Sequence, residues 1–166
     1  IDLRDAFVLP GLIDSHVHLT FESGPTSRLD AVTKSTTDQA FDGVVFARRT
    51  VEAGFTTVVD LGSETEAINA LRDAIGTGKV VGPRILASGP AISIPGGHGD
   101  VSGFRPEVNA ALGADNTCSG PDECARRVRE LAHNGADVIK VTVTGGVLSL
   151  QSRGFDNHFT DAELAA

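Results

Sequence analysis

The sequence predicts an α/β fold: four consecutive strand–helix units of a (β/α)8 TIM barrel, covering about strands one to four. Strand-like and helix-like segments alternate along the 166 residues, which is typical of a parallel sheet. A complete barrel takes about 250 residues, so four units form about half of one. A doubly wound open sheet is the alternative, but no GxGxxG phosphate loop follows the first predicted strand.

The first unit is predicted from an apolar run and a glycine. Residues 7–13 are mostly apolar and lead into residues 14–19, so we expect a strand that ends in polar side chains. Apolar residues at helical spacing over 40–51 predict a helix that ends at Gly54, where glycine supplies the left-handed cap.

The second unit and the third strand follow directly. β-Branched residues predict a strand over 55–61. Ser63 and Glu66 form a capping-box pattern for a helix that continues through Ile75. The third strand is predicted over 83–88.

The last part of the chain contains one more complete unit. A long, irregular, glycine-rich segment is predicted over 89–120. Proline and acidic residues at 121–123 predict a helix start, and Asn134 with the following glycine ends that helix. The fourth strand is predicted over 136–143, and residues 160–163 form another helix-start pattern.

The composition excludes two classes of partner. Fourteen Lys and Arg stand against 22 Asp and Glu, a formal net charge of −8, so the chain offers no basic surface for nucleic acid or anionic lipid. No run approaches the roughly 20 consecutive apolar residues of a membrane helix. We therefore expect neither nucleic acid nor a membrane as partner.

The two cysteines do not form a recognisable metal motif. Cys118 and Cys124 lack CxxC spacing and are too few for a disulfide framework. They are interpreted as structural or incidental residues, with a local disulfide as the alternative.

The first candidate site is an HxH pair. His16 and His18 lie at positions i and i+2 at the end of the first predicted strand, so both imidazoles project from one face. In a parallel barrel this face is the interior, and active sites form at the C-terminal strand ends. Imidazole is a ligand for Zn, Mn, Fe or Ni; two polar residues at a strand end are the alternative. Asp14 is expected to orient His16 as a hydrogen-bond acceptor or to cap the barrel floor.

A second candidate is the lysine within the fourth predicted strand. Lys140 is flanked by apolar residues and is expected to be buried, which favours its neutral amine. A neutral amine reacts with carbon dioxide to form a carbamate, an anionic ligand that bridges two cations. The alternatives are a buried salt bridge and a lysine whose ammonium reaches solvent.

The remaining polar candidates carry weaker signals. Asp60 and Asp100 are each expected to cap a turn. His133 lies near a predicted helix C-terminus and His158 before a helix start, so both are expected to be exposed.

The HxH pair stands in a longer motif. Residues 10–18, PGLIDSHVH, resemble the PGxIDxHxH signature of the amidohydrolase superfamily, metal-dependent hydrolases on a (β/α)8 barrel. Residues 82–89 (GPRILASG) and 96–100 (GGHGD) are similar to the subgroup of Xaa-Pro dipeptidases (prolidases) and metallocarboxypeptidases. Residues 135–149, with GADVIKV and TGGVLS, are similar to the fourth-strand segment of that subgroup.

The resemblance implies a site with two divalent metal ions, expected to be Zn²⁺. His16 and His18 would hold the more buried ion, and a carboxylated Lys140 would bridge both. His98 would contact the substrate at the scissile carbonyl or a carboxylate, with a surface-loop histidine as the alternative. The family's other ligands, two histidines after strands five and six and an aspartate after strand eight, lie beyond the strands predicted here.

The resemblance also implies a domain division and an incomplete chain. Residues 1–8 are assigned to the end of a small β-sandwich and residues 9–166 to the first half of the barrel. The chain opens with Ile1, contains no Met and ends just after a helix start, which favours a fragment that is inactive without the C-terminal half. A signal peptide upstream would not be seen, so localisation stays open, with the cytoplasm favoured.

The expected activity is hydrolysis of an amide or peptide bond by a hydroxide that bridges the metal ions. Dipeptides, Xaa-Pro or other, and N-acyl amino acids with a free carboxylate are the expected substrates. A cyclic amidase or imidazolonepropionase-like hydrolase is one alternative, and an incomplete, non-catalytic half-barrel chain is the other. The partners are then a small-molecule or dipeptide substrate and the rest of the barrel, with homo-oligomerisation left open.

Overall fold

The fold is known from a computed structural model that describes residues 3, 5–113, 116–147, 149 and 154–166. Three strands form a parallel sheet in the order β1-β2-β3, and helices connect them, so the predicted strand–helix alternation is confirmed. The elements are β1 (Leu12–Val17), α1 (Ser27–Thr33), α2 (Thr36–Glu52), β2 (Phe55–Asp60), α3 (Thr65–Gly76), β3 (Arg84–Ala87), α4 (Pro106–Leu112), α5 (Pro121–His133) and α6 (Asp161–Ala165).

The strands differ in how regularly they pair. β2 pairs with β3 without interruption from Thr57 to Asp60. The pairing of β1 with β2 shifts in register between Asp14 and Val17, an interval that contains His16. Because such a bulge changes the direction of the strand and its side chains, it directly affects a candidate metal ligand.

The main core lies between the sheet and helices α2 and α3. The two helices contact each other, α2 contacts β2 and α3 contacts β3. Val58 of β2 and Ile68 of α3 are fully buried, and burial of one such side chain stabilises a fold by about 1.5–3 kcal/mol. The buried members of this cluster are Leu19, Ala47, Val58, Ile68, Leu71, Ile85 and Ala87.

Three predicted helix signals are confirmed. Gly54 follows the end of α2 with φ +97°, and Gly135 follows α5 with φ +91°. Thr160 and Glu163 form a capping box at the start of α6. Glycine avoids the Cβ clash of this left-handed conformation, which is why it marks both helix ends.

The predicted capping box of α3 is wrong. Glu64 is the N-cap, and its carboxylate accepts a backbone N–H of the first turn at 3.0 Å. Ser63, the residue expected in that position, instead donates its hydroxyl to the carboxylate of Asp60 at 2.8 Å. The Ser63 hydroxyl thus binds Asp60 and does not cap α3, which is the role that the local sequence pattern predicted.

The fourth predicted strand is not a continuous strand. Ile92 donates its N–H to the carbonyl of Lys140 at 2.8 Å and accepts the N–H of Thr142 at 2.9 Å, which forms an isolated parallel bridge. The ladder from β3 is interrupted because Gly89 turns with φ +67° and Pro90 has no N–H to donate. The segment nevertheless lies beside the chain that continues from β3, in the place of a fourth strand.

The long segment after β3 is more ordered than predicted. It contains helix α4, and its second half returns to pair with the first, since Ser93 forms a parallel bridge with Thr117. A disulfide joins Cys118 to Cys124 of α5, so the alternative of a local disulfide is confirmed. Both cysteines are buried in a second cluster with Ile92 and Phe159, which joins this segment to α5.

Two further sequence expectations concern membrane helices and the domain division. No helix within the described ranges is long and apolar enough to cross a lipid bilayer. The domain division at residue 8 stays a prediction, because residues 1, 2 and 4 lie outside the part of the chain that the structure describes.

We expect the Cys118–Cys124 disulfide to protect both thiols from alkylation. In unreduced, denatured protein the peptide that carries both residues should gain no carbamidomethyl group from iodoacetamide, whereas reduction first should add one to each cysteine, as read by mass spectrometry. Closing so short a loop stabilises by about 2 kcal/mol in the chain-entropy account, so replacing both cysteines by alanine should lower the free energy of unfolding by about that amount. Alkylation without a reductant would contradict the pairing.

Candidate functional site

The two histidines of the HxH pair meet at the C-terminal end of β1. His16 lies within β1 and His18 directly follows its last residue. Their ring centroids are 5.5 Å apart and the rings are inclined at 67°, an edge-to-face arrangement. Imidazole nitrogens bind zinc at about 2.0–2.1 Å, and rings at this separation are compatible with a shared ion.

The bulge in β1 determines the position of His16. The simple alternation of strand side chains does not hold across the register shift between Asp14 and Val17, yet the two imidazoles remain neighbours. The carboxylate of Asp14 accepts the backbone N–H of His16 at 3.0 Å. Asp14 therefore holds the backbone of the bulge, and its predicted role toward the imidazole of a ligand stays a prediction.

The ring of His18 is in contact with the backbone of Gly62 and the ring of Phe21. A Cβ on Gly62 would lie 2.9 Å from Cε1 and 3.1 Å from Nδ1 of His18, so a side chain there would displace the imidazole. The centroid of the Phe21 ring lies 4.9 Å from the centroid of the His18 ring, and the two ring planes are inclined at 30°. The position of His18 thus depends on the absence of a side chain at residue 62.

The electrostatic environment of His18 favours its neutral form. Partial burial lowers the pKa of His18; the carboxylate of Asp60 opposes this shift, while the charges of His16 and Lys140 add to it. Only the neutral imidazole has a free lone pair for a metal ion. The lowered pKa thus favours the form of His18 that can bind a metal ion.

Lys140 lies beside the chain that continues from the C-terminal end of β3, because its carbonyl accepts the N–H of Ile92 at 2.8 Å. It is half-buried, so the expectation of a fully buried lysine is wrong. The described strands form an open three-stranded sheet, and its faces are not enclosed as the interior of a closed barrel would be.

Asp60 connects the ends of two neighbouring strands. Its side chain is fully buried; one oxygen accepts the N–H of Leu19 at 2.6 Å and the hydroxyl of Ser63 at 2.8 Å. The other oxygen accepts the N–H groups of Ser63 at 3.0 Å and Gly62 at 3.4 Å. The expected turn cap is confirmed, and the same carboxylate also holds the residue that follows His18.

His98 lies in the loop after β3 and is exposed. Asp100 accepts the N–H groups of Gly96 at 2.7 Å and Val101 at 2.8 Å, so its expected role as a turn cap is confirmed. The Nδ1 atom of His98 is 2.5 Å from the hydroxyl of Ser149. The histidine loop therefore contacts the segment that follows Lys140 in the chain.

The other two histidines, His133 and His158, differ in their exposure to solvent. His133 is exposed, as predicted. His158 is half-buried, so the expectation of an exposed residue is wrong. Its backbone N–H donates to the carbonyl of Val143 at 2.8 Å, and the neighbouring Asn157 forms an antiparallel bridge with Thr144. This pairing of residues far apart in the chain has no local sequence signal.

Three residues of the site were not identified from the sequence. Phe21 and Gly62 contact His18, and Ser149 contacts His98. Gly62 follows the second predicted strand and Ser149 ends the TGGVLS segment. The local sequence around them did not indicate which histidine each residue would contact.

The described residues supply only part of a metal site. His16 and His18 provide two imidazoles, yet no group of three or more His, Cys, Asp or Glu side chains in the described ranges is arranged to hold a metal ion. Two imidazoles fit a divalent ion of the zinc type as part of a larger ligand set, since such ions take about four ligands.

Comparison with known proteins gives the family context. The sequence pattern described as the amidohydrolase family matches residues 7–166. Ochratoxinase of Aspergillus niger is 33% identical over 178 residues, which cover 97% of this chain and 36% of that protein. The chain therefore spans little more than a third of the length of this relative.

Solved structures agree with the sequence match. A Xaa-Pro dipeptidase with methionine bound in its active site has a TM-score of 0.75 at 35% identity, over 94% of this chain and 40% of that chain. A prolidase complexed with N-methylphosphonate-L-proline has a TM-score of 0.75 at 29% identity, over 99% of this chain and 42% of that chain. These matches confirm the predicted barrel fold and the resemblance to prolidase-like enzymes.

Replacing Asp60 should destabilise the protein strongly. Asp60→Ala leaves the buried N–H groups of Leu19 and Ser63 without their acceptor, and each such group costs about 1–3 kcal/mol. We therefore expect a loss of about 3 kcal/mol or more in the free energy of unfolding, measured by urea denaturation. Asp60→Asn should also destabilise the protein, because both carboxylate oxygens of Asp60 accept hydrogen bonds and an amide has only one oxygen that can accept.

The matched control for this measurement is Asp73→Asn. The side chain of Asp73 is 68% exposed and pairs with Arg72, and surface changes of this kind usually stay within about 0.5 kcal/mol. Equal stabilities of Asp60→Ala and Asp73→Asn would show that the Asp60 contacts do not hold the strand ends together.

Proposed function

This chain belongs to the amidohydrolase family, and on that premise we propose that it carries the first metal ligands of a hydrolase that cleaves amide bonds in small substrates. The observation that carries the proposal is the edge-to-face pair of His16 and His18 at the C-terminal end of β1. Active sites of parallel barrels form at this end. The chain spans about two fifths of the length of these structural relatives, so the activity is proposed for the complete enzyme.

In the proposed site, His16 and His18 hold a divalent metal ion. Their edge-to-face contact places two donors together, and the lowered pKa of His18 keeps its lone pair free. When bound, divalent ions such as Zn²⁺ generate a nucleophile from water at neutral pH and polarise the scissile carbonyl. By the family resemblance, the remaining ligands, two histidines and an aspartate, would come from strands five, six and eight of the barrel.

A carboxylated Lys140 would be the anionic ligand that helps the two histidines to hold divalent ions. Carbon dioxide would add to the unprotonated form of its amine with loss of one proton, which would leave a carbamate with two oxygens able to act as ligands. The position of Lys140 beside Ile92 supports this role, because Ile92 follows the C-terminal end of β3 and the parallel strand β1 carries His16 and His18 at the same end. An unmodified lysine would instead place a positive charge beside the metal ligands, which opposes cation binding.

His98 is proposed to bind an oxygen of the substrate. It is exposed on a loop, and this loop lies beside the segment that carries Lys140, since Gly99 is packed against the hydroxyl of Thr142. A neutral imidazole donates one hydrogen bond, and either the scissile carbonyl or a substrate carboxylate can accept it. His98 thus acts on the substrate and leaves metal binding to the other residues.

The proposed substrates are dipeptides, including Xaa-Pro, and N-acyl amino acids with a free carboxylate. The relatives support this class: one holds methionine in its active site and another holds a phosphonate analogue that ends in L-proline. Both ligands carry an α-carboxylate. With a net charge of −8, nucleic acid is not proposed as a partner, and self-association is left to measurement.

Metal content tests the ligand assignment in the complete enzyme. His16→Ala and His18→Ala should each lower the bound divalent metal from about two ions per chain, because each removes a ligand bond. Lys140→Arg should lose metal as well, since arginine stays cationic and forms no carbamate. Elemental analysis by plasma mass spectrometry measures the content, with His133→Ala, an exposed helix-end histidine, as the matched control. Undiminished metal in either histidine variant would refute the site.

Substrate preference tests the proposed class. The complete, metal-loaded enzyme should cleave a free dipeptide at least about 10-fold more efficiently than the same dipeptide with its carboxylate amidated, because a hydrogen bond to a charged group contributes about 1.5–3 kcal/mol. The measurement is kcat/KM by release of the free amino acid. Equal values for the two peptides, or preferential cleavage of a cyclic amide, would move the enzyme to another substrate class while leaving the metal assignment intact.

A further inference from the structure

The imidazole of His98 has a polar partner from a distant part of the chain. Its Nδ1 atom lies 2.5 Å from the hydroxyl of Ser149, 51 residues further along. Ser149 closes the TGGVLS segment, which follows Lys140, the proposed anionic ligand. A contact this short, between two groups that can both donate and accept, is a hydrogen bond.

The same segment makes room for the ring. A Cβ on Gly146 would lie 2.4 Å from Cε1, 2.6 Å from Nδ1 and 2.9 Å from Nε2 of His98. Real side chains do not approach so closely, so glycine at this position is required for the observed ring placement. Gly146 and Ser149 together therefore determine where the imidazole lies.

The backbone of the histidine loop is held separately. The N–H of Gly99 donates to the hydroxyl of Ser93 at 3.2 Å, and its carbonyl accepts from the side chain of Asn116 at 2.9 Å. Asn116 also donates to the carbonyl of Ala91 at 2.7 Å, and both Ser93 and Asn116 are buried. With the backbone fixed in this way, the main remaining freedom of His98 is the rotation and tautomer of its ring.

We propose that Ser149 is a positioning residue, whose hydroxyl donates to Nδ1 of His98 and so holds the imidazole as the tautomer with hydrogen on Nε2. A neutral imidazole carries one donor and one acceptor nitrogen. When Nδ1 accepts, Nε2 donates, which is what an oxygen of the substrate requires. This inference rests on the proposed function, because it assigns Ser149 a role through the substrate contact of His98.

The kinetic test uses the complete, metal-loaded enzyme and a dipeptide with a free carboxylate. Ser149→Ala should lower kcat/KM by about 3- to 10-fold, the value of one neutral hydrogen bond, with metal content unchanged. Ser149→Thr retains the hydroxyl and should stay within about twofold of the wild type. Ser102→Ala, a serine of the same loop region that forms no hydrogen bond with His98 in the described part of the chain, is the matched control.

A double variant separates positioning from a general structural role. In the His98→Ala background, Ser149→Ala should cause no further loss, because the group through which it acts is gone. A full additional 3- to 10-fold loss in that background would overturn the proposal, as would wild-type kcat/KM in Ser149→Ala.

The tautomer gives a readout that does not depend on activity. Long-range ¹H–¹⁵N correlation of histidine-labelled protein should show Nε2–H for His98 in the wild type and in Ser149→Thr, and a mixture of tautomers in Ser149→Ala. Hydrogen on Nδ1 in the wild type, or an unchanged spectrum in Ser149→Ala, would overturn the proposal. If the enzyme cleaved no dipeptide but the tautomer depended on Ser149, the proposed substrate would be wrong and the positioning role would stand.

Discussion

The carboxylate of Asp60 is the interaction on which the functional end of the sheet depends. It is fully buried at the end of β2 and accepts hydrogen bonds from Leu19, Gly62 and Ser63. Leu19 directly follows His18, and Gly62 lies against the His18 ring. One side chain thus joins the end of β1 to the turn after β2, and the donors it satisfies would otherwise be buried without partners at a cost of about 1–3 kcal/mol each.

Close backbone approach recurs at both histidines of interest. Gly62 allows the ring of His18 to lie against the chain, and Gly146 does the same for His98. In each case the glycine comes from a different strand–loop unit than the histidine it touches. The positions of both histidines therefore depend on contacts between strand–loop units, and each contact requires a glycine without a side chain.

The loop that carries His98 is supported from beneath by a cluster of its own. Cys118 and Cys124, joined as a disulfide, pack with Ile92 and Phe159, and the carbonyl of Ser93 accepts the N–H of Cys118 at 2.9 Å. A long loop with this support can hold a substrate-binding group in a defined place, which an irregular loop of the same length could not. The main core under β1 to β3 supports the histidine pair, and this second cluster supports the loop that carries His98.

The sequence by itself determined the strand–helix order, the helix ends at Gly54 and Gly135 and the HxH pair, because each rests on local periodicity, on the conformational freedom of glycine or on a short motif. The family followed from such motifs as well. Only the tertiary structure decided that Ser63 donates to Asp60, that the ladder from β3 is interrupted at Gly89, and that Ser149 binds His98. The reason is physical: these outcomes are hydrogen bonds and close approaches between residues brought together by the fold, and a polar side chain goes to whichever partner the packing leaves within reach.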